Sequence, residues 1–152
     1  MAGSRNASEH EAFRESAVKT YIVEDSPIIL DNLVAALQEM TPAQVVGSAG
    51  DEESAVEWLT KPGNARDLDL LVIDIFLKGG SGLGVLERAA SAGVPGKRVV
   101  LTNFASPDMR RRCQELGAHR VFDKSNEVEE LIDYCARIGQ GGCDTVPGGL
   151  GP

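Results

Sequence analysis

The sequence predicts an α/β fold in which helices cover both faces of a parallel sheet. Strand and helix patterns alternate five times along the chain, and this alternation is typical of a sheet built from right-handed crossover connections. The third strand pattern is the clearest, because residues 70–73 are consecutive large aliphatic residues bounded by turn signals. Such a run is typical of a strand covered on both faces. The 152 residues suit one domain with a proper core.

Each helix has a sequence signal at its start or end. The first is predicted to begin after Ser26, with Pro27 in its first position, and Pro42 enforces its end. Acidic residues 51–53 suit the positive end of the second helix. The strands are expected at about 19–24, 44–48, 69–74, 98–102 and 119–122, and the third and fourth helices at about 82–92 and 106–116.

The last helix is predicted to begin at Ser125 or Asn126. Glu129 and Glu130 follow at the spacing of a capping box, in which an acidic side chain bonds back to the backbone amide of the first residue. Both ends of the chain differ from this pattern. Residues 1–17 are predicted to be a flexible leader without a signal-peptide core, and residues 139–152 a disordered glycine-rich tail. We therefore expect one folded domain over residues 18–138.

Composition excludes several classes of protein. The formal net charge is −8, which argues against nonspecific binding of nucleic acid, and the arginine triplet at 110–112 is interpreted as a solvated helix face. No apolar run approaches the roughly 18 residues of a membrane span. Cys113, Cys135 and Cys143 are too widely spaced for a zinc site or a disulfide framework. These features predict a cytoplasmic protein with reduced thiols, no membrane segment and no direct contact with nucleic acid.

Side chains that can bind ions follow successive predicted strands. Glu24 and Asp25 follow the first strand, Asp74 the third, Thr102 closes the fourth and Lys124 follows the fifth. The carboxyl ends of parallel strands share one edge, so we expect these side chains to lie close together. Carboxylates without histidine or thiol nearby favour a hard cation, commonly Mg²⁺ where phosphate is handled. The hydroxyl and the ammonium would hold an anion, which predicts phosphoryl transfer to a carboxylate.

Each of these residues also has an ordinary structural explanation. Asp74 could form a turn, the Glu24–Asp25 pair could cap the first helix, Thr102 is a residue type common in strands, and Lys124 could lie on the surface. The ion-binding interpretation depends on all of them occurring together at strand ends.

Five short motifs occur in order at these strand ends. They are Val-Glu-Asp-Ser at 23–26, Val-Ile-Asp-Ile-Phe-Leu at 72–77 with Ser-Gly-Leu at 81–83, Leu-Thr-Asn at 101–103, Gly-Ala at 117–118, and Phe-Asp-Lys-Ser at 122–125. Together they resemble the receiver domain of bacterial response regulators, over about residues 19–138. The resemblance implies a flavodoxin-like (βα)5 sheet of order 2-1-3-4-5. It also implies phosphorylation by a histidine kinase or a histidine phosphotransfer protein.

The resemblance assigns a role to each site residue. Asp74 would be the phosphoacceptor, Thr102 would turn toward the phosphoryl group, and Lys124 would pair with it. The implied Mg²⁺ ligands are Glu24 (mainly through water), Asp25, Asp74 and the backbone carbonyl of Phe76. A surface formed by the fourth helix, the fifth strand and the last helix would serve a homodimer.

Three positions depart from the family pattern. The residue three before the lysine, usually an aromatic that reports phosphorylation, is Val121, and Phe122 is expected to point to the opposite face of the strand. Ser125 stands where many members have proline, so a cis peptide is not expected there. Asn103 is larger than the usual residue after the threonine, and we expect it to contact the phosphoryl group and slow its hydrolysis.

The resemblance implies a single-domain response regulator of a two-component or phosphorelay system. It would signal to a downstream protein by contact, or serve as an intermediate or sink in a phosphorelay. One alternative is a pseudo-receiver, an interaction module without phosphoryl turnover. The other is a phosphatase-like enzyme of haloacid-dehalogenase type, but such enzymes have a second acid two residues after the nucleophile, where this chain has Phe76. We therefore expect a phosphoryl acceptor with slow self-dephosphorylation rather than an enzyme.

Overall fold

The computed structural model describes residues 17–140, which form a five-stranded parallel sheet in the order β2-β1-β3-β4-β5. This confirms the predicted fold class and strand order. Most of the predicted leader and tail lies outside the described residues. No helix within residues 17–140 is long and apolar enough to cross a membrane.

The strands and helices alternate along the chain. They are β1 Val18–Val23, α1 Pro27–Met40, β2 Ala43–Ala49, α2 Glu52–Thr60, β3 Leu70–Ile73, α3 Gly82–Ser91, β4 Lys97–Thr102, α4 Pro107–Glu115, β5 Arg120–Asp123 and α5 Val128–Gly139.

The sheet separates two apolar clusters, one on each face. Helices α2, α3 and α4 pack on one face, and α1 and α5 pack on the other. Neighbouring residues of a strand alternate between the clusters, as the pleat requires. Thus Val72 belongs to one cluster and Ile73 to the other. In β5, Val121 faces the α2–α4 side, whereas Phe122 faces the α1–α5 side and packs against Tyr134. The prediction that Phe122 points away from Val121 is confirmed.

Four helices begin at a side chain that accepts a hydrogen bond from the first turn. Ser26 Oγ accepts from the amide of Ile29, and the Asp51 carboxylate accepts from the amide of Ser54. The hydroxyls of Ser81 and Ser106 cap α3 and α4 in the same way. These caps satisfy backbone donors that a helix end leaves without an intrahelical partner. They also fix where each helix leaves the carboxyl edge of the sheet.

The capping box predicted for the last helix was wrong. Helix α5 begins at Val128, and Glu127 in the cap position makes no side-chain cap hydrogen bond. The preceding turn is closed by Asp123 instead, whose carbonyl accepts from the amide of Glu127 (2.7 Å) and whose carboxylate accepts from the amide of Ser125 (2.7 Å). Because Asp123 stabilises this turn locally, the helix starts later than predicted.

Cys113 and Cys135 are free and buried, one in each apolar cluster. Burial raises the pKa of both thiols, and the thiolate is the reactive form of cysteine. In a Cys143→Ser protein we therefore expect iodoacetamide to alkylate neither thiol in the folded state and both in urea. Intact mass measures the number of alkyl groups added. Alkylation of the folded protein at the rate of a free thiol would contradict this placement.

Candidate functional site at the carboxyl edge of the sheet

The predicted site residues meet where four adjacent strands end. The backbone ladder continues past the strands and fixes them there. The amide of Asp74 donates to the carbonyl of Val23 (2.9 Å), and the amide of Lys124 donates to the carbonyl of Thr102 (2.9 Å). The backbone of Asp74 and that of Lys124 are therefore each held by the neighbouring strand.

Three carboxylates and one ammonium form the centre of the site. Glu24, Asp25 and Asp74 each place a carboxylate oxygen within 4.8 Å of the other two. Lys124 Nζ lies 2.8 Å from Glu24 Oε1 and 3.3 Å from Asp74 Oδ2. The side chains of Glu24, Asp74 and Lys124 are only 3%, 9% and 11% exposed, so their charges are poorly solvated. The structure thus brings together four of the residues chosen from the sequence.

The surroundings oppose a negative charge on Asp74 and favour a positive charge on Lys124. Burial, and next the nearby Glu24, raise the pKa of the Asp74 carboxyl, although the Lys124 ammonium and the amide of Phe76 act in the opposite direction. Burial alone would lower the pKa of Lys124, but its hydrogen bonds and charge attraction to Glu24 and Asp74 outweigh burial and raise that pKa. Lys124 is therefore held as a cation beside a carboxylate that lacks full charge compensation.

The donor set fits a divalent hard cation. Counted as ionised, three carboxylates and one ammonium leave an excess of two negative charges. All the donors are oxygens, which suits Mg²⁺ better than a soft metal. Backbone amides hold two of the three carboxylates in place. The amide of Ser26 donates to Glu24 Oε2 (3.0 Å), and the amide of Lys78 donates to Asp25 Oδ2 (2.8 Å).

Thr102 lies beside this cluster in the same edge, fully buried at the end of β4. Its hydroxyl oxygen accepts a hydrogen bond from the amide of Phe104 (3.1 Å). The ring of Phe104 is exposed and packs edge-on against the exposed ring of Phe76, with centroids 4.9 Å apart. These two rings join the loops that follow β3 and β4. The sequence assigned a role to the Phe76 carbonyl but none to Phe104, because an exposed aromatic after a strand has no distinctive local pattern.

The loop between β3 and α3 is anchored from α2 by Glu52, which sequence reasoning treated only as a helix-start acid. Glu52 Oε1 accepts from the amide of Ser81 (2.9 Å), and the Glu52 amide donates to the carbonyl of Gly79 (2.9 Å). Glycines at 80 and 84 leave the space that this carboxylate occupies. Glu52 thus fixes the loop that follows Asp74.

The interpretation of the arginine triplet was wrong for its first member. Arg110 is partly buried and donates to the carbonyls of Ala105 and Val121 and to the Glu127 carboxylate, whereas Arg111 and Arg112 are exposed. A signal was present, since Arg110 lies three residues before the buried Cys113 and therefore on the same side of α4.

A five-stranded parallel sheet of this order with helices on both faces is the flavodoxin-like fold. Residues 20–136 match the family described as the response regulator receiver domain. Because that match spans most of the chain, the chain belongs to this family of two-component signalling proteins.

Individual proteins are similar to this chain in sequence or in fold. The chain is 29% identical over 124 residues to the uncharacterized transcriptional regulatory protein YvfU of Bacillus subtilis, covering 82% of this chain and 60% of YvfU. The signal receiver domain of the putative response regulator NarL from Mycobacterium tuberculosis has the same fold, with a TM-score of 0.70, 22% identity, and coverage of 82% of this chain and 97% of that one. A response regulator protein from Burkholderia pseudomallei, solved with a phosphorylated aspartic acid and a calcium ion, has a TM-score of 0.65 at 17% identity, covering 82% of this chain and 69% of that one.

Proposed function

We propose that this receiver domain accepts a phosphoryl group on Asp74 in a Mg²⁺-dependent reaction and passes the signal on through protein contacts. The observation that carries the proposal is the placement of Lys124 between Glu24 and Asp74, with Asp25 completing a cluster that fits a divalent cation. The donor would be a histidine kinase or a histidine phosphotransfer protein, and the recipient of the signal a downstream protein.

The chemistry is an in-line displacement at phosphorus. An Asp74 carboxylate oxygen attacks the phosphorus of a phosphohistidine, and the phosphorus–nitrogen bond breaks with its electron pair remaining on the imidazole. Lys124 pairs with a phosphoryl oxygen, and Thr102 donates its hydroxyl proton to another, because its oxygen accepts from Phe104 and leaves that proton available. Mg²⁺, when bound by the carboxylates and the Phe76 carbonyl, would neutralise the charge on the phosphoryl oxygens.

Slow hydrolysis follows from the residues around the phosphoacceptor. The position two residues after Asp74 is Phe76, which has no acid or base to activate water. Asn103 is exposed beside Thr102, and we propose that it contacts the phosphoryl group and slows its loss. The chain would therefore act as a phosphoryl acceptor and not as an enzyme with rapid turnover.

The wider role also belongs to this proposal. The chain spans 60% of the length of YvfU, 59% of that of the transcriptional regulatory protein DesR of Bacillus subtilis and 50% of that of the nitrate/nitrite response regulator protein NarP of Escherichia coli. Any transcriptional activity belongs to those whole proteins. For this chain we propose a cytoplasmic location, no direct contact with nucleic acid, and a homodimer through α4, β5 and α5. The acidic composition supports the second of these.

Phosphoryl uptake tests the central proposal. After incubation with Mg²⁺ and acetyl phosphate, we expect intact mass to show an adduct of about 80 Da. The Asp74→Asn protein should lack it, and Asp67→Asn, a change of an exposed carboxylate, should retain it. A folded wild-type protein without an adduct would favour the pseudo-receiver alternative, which predicts no uptake with any donor.

Mg²⁺ binding has a separate expected effect on stability. A ligand that binds only the folded state raises the free energy of unfolding, by about 2.7 kcal/mol at a hundredfold excess over its dissociation constant, and so raises the melting temperature. We expect millimolar Mg²⁺ to raise the melting temperature of the wild-type protein, measured by circular dichroism. The Asp25→Asn protein should show a much smaller rise, and Asp67→Asn the full rise. Equal shifts in all three proteins would contradict the assigned ligands.

A further inference from the structure

We propose that Arg110 is a positioning residue whose guanidinium ties together the two chain segments that carry Thr102 and Lys124. Where the proposal concerns phosphorylation it rests on the function proposed above. Through Arg110, a movement of the phosphate-binding side chains would reach α4, β5 and the start of α5, in a chain that has Val121 at the usual position of the reporting aromatic.

Three hydrogen bonds place the guanidinium between these segments. Arg110 Nε donates to the carbonyl of Ala105 (3.0 Å), three residues after Thr102. Nη1 donates to the carbonyl of Val121 (2.9 Å), three residues before Lys124, and Nη2 donates to Glu127 Oε1 (3.0 Å). One side chain of α4 thus contacts the β4–α4 loop, strand β5 and the residue before α5.

Further hydrogen bonds connect these contacts to the site. On one side, Thr102 Oγ1 accepts from the amide of Phe104, the residue before Ala105. On the other side, Glu127 Oε1 also accepts from the amide of Asp123 (2.8 Å), the residue before Lys124. The amide of Lys124 donates to the carbonyl of Thr102 (2.9 Å), which closes the network.

The geometry requires arginine. A guanidinium presents N–H donors in a planar fork, so it can serve three acceptors in fixed directions, whereas a lysine ammonium is a point charge on a flexible stem. The Arg110–Glu127 pair has side chains 35% and 33% exposed, so the ion pair itself contributes little to stability. We infer that its main consequence is the relative placement of the two loops.

The small side chain of Val121 explains why a backbone contact matters here. A cavity of about 210 Å³ adjoins this position and is lined by residues that include Arg110, Val121 and Glu127. Val121 has no ring to follow a movement of Thr102, but its carbonyl is held by Arg110. When Thr102 turns toward a phosphoryl group, its hydroxyl would release the amide of Phe104, the neighbour of Ala105. Arg110 would carry a resulting shift of the Ala105 carbonyl to Val121 and Glu127. Such coupling between two regions is reciprocal.

Amide NMR spectra test this coupling without any phosphoryl group. A Thr102→Val substitution removes the hydroxyl that accepts from Phe104. We expect it to shift the amide resonances of Glu127 and Val128 when Arg110 is present, and to leave them within error in an Arg110→Met background. Asp123 does not serve as a readout, because it pairs directly with Thr102 in the sheet. Arg110→Lys should behave like Arg110→Met, because it keeps the charge but not the fork. Arg112→Met, which changes an exposed neighbour, should behave like the wild type. Equal shifts with and without Arg110 would overturn the proposal.

Phosphoryl uptake provides the second measurement, with acetyl phosphate and Mg²⁺. We expect Arg110→Met to take up the phosphoryl group about tenfold more slowly than the wild type, because Thr102 and Lys124 are then less well placed to bind the phosphoryl oxygens. On phosphorylation, the amide resonances that shift in the Arg110→Met protein should be confined to the neighbourhood of Asp74 and Thr102. In the wild type and in Arg112→Met the shifts should extend to Glu127. A wild-type protein without an adduct would contradict the proposed function alone, since the Thr102→Val comparison stands without it. Full propagation to Glu127 in Arg110→Met would refute the role of Arg110.

Discussion

A Gly82→Ala substitution is expected to lower the free energy of unfolding by about 3 kcal/mol, the upper part of the range for overpacking. A Cβ at this position would lie 2.0 Å from the carbonyl oxygen of Asp74 and 2.8 Å from Ile75 Cα. These are backbone atoms and cannot move aside as a flexible side chain can. The Gly82 amide also donates to the carbonyl of Ile75 (2.8 Å), which holds α3 against this segment.

The same substitution should displace Asp74, so phosphoryl uptake should fall together with stability. Urea denaturation gives the free energy, and intact mass after incubation with acetyl phosphate and Mg²⁺ gives the uptake. Gly50→Ala is a matched control, because its Cβ would lie 3.5 Å from Asp25 Cα, an ordinary contact. Equal unfolding midpoints for Gly82→Ala and Gly50→Ala would show that the close approach at Gly82 is relieved at no cost.

Lys124→Met is expected to destabilise the protein by about 2 kcal/mol or more near neutral pH in EDTA. Lys124 is largely buried and pairs with Glu24 and Asp74, so methionine would leave those carboxylates without their ammonium. Removing one partner of a buried ion pair is strongly destabilising, because the remaining charge is uncompensated. Lys19→Met provides the control, since Lys19 is 44% exposed and lies 4.0 Å from an exposed Asp67. Such surface pairs contribute little.

The loss caused by Lys124→Met should depend on pH. Burial and Glu24 raise the pKa of Asp74, and the substitution removes the lysine that chiefly opposes them. A folded-state pKa above the ordinary value of 3.8 means that the folded protein binds more protons between the two pKa values. The unfolding free energy then falls as pH rises through that interval.

We therefore expect the deficit of Lys124→Met relative to the wild type to shrink as the pH is lowered from neutral toward the ordinary pKa of 3.8. Urea denaturation at several pH values in EDTA measures it. A deficit that is constant or grows toward lower pH would show that the loss does not come from uncompensated carboxylates. The control Lys19→Met should match the wild type throughout.

The sequence was sufficient for features that depend on short segments. The aliphatic run at 70–73, the helix starts at Ser26 and Ser106 and the charged residues after the first, third and fifth strands are local signals. Since parallel strands end at one edge, these signals predicted that Glu24, Asp25, Asp74 and Lys124 would meet, and the structure brings them together.

The features that the sequence did not predict depend on contacts between distant elements. Glu127 resembles an ordinary helix-start acid, but its carboxylate is used by Arg110, 17 residues away in the chain. Glu52 likewise bonds to the amide of Ser81, 29 residues away. No short window of sequence contains both partners of such a contact. The capping box failed for a different and local reason, because Asp123 closes the turn that occupies the predicted start of the helix.

The hydrogen bond from the Lys78 amide to Asp25 Oδ2 has a consequence for the kinetics of ion binding. The bond spans 53 positions in the chain and joins the loops after β1 and β3 through protein atoms alone. A cation bound to these carboxylates would not itself have to hold the two loops together, so this bond reduces the entropy of loop closure that the ion must offset. The slow step would be the removal of water from the ion, which for Mg²⁺ is intrinsically reluctant. Exchange at this site should then be governed by the ion more than by the protein.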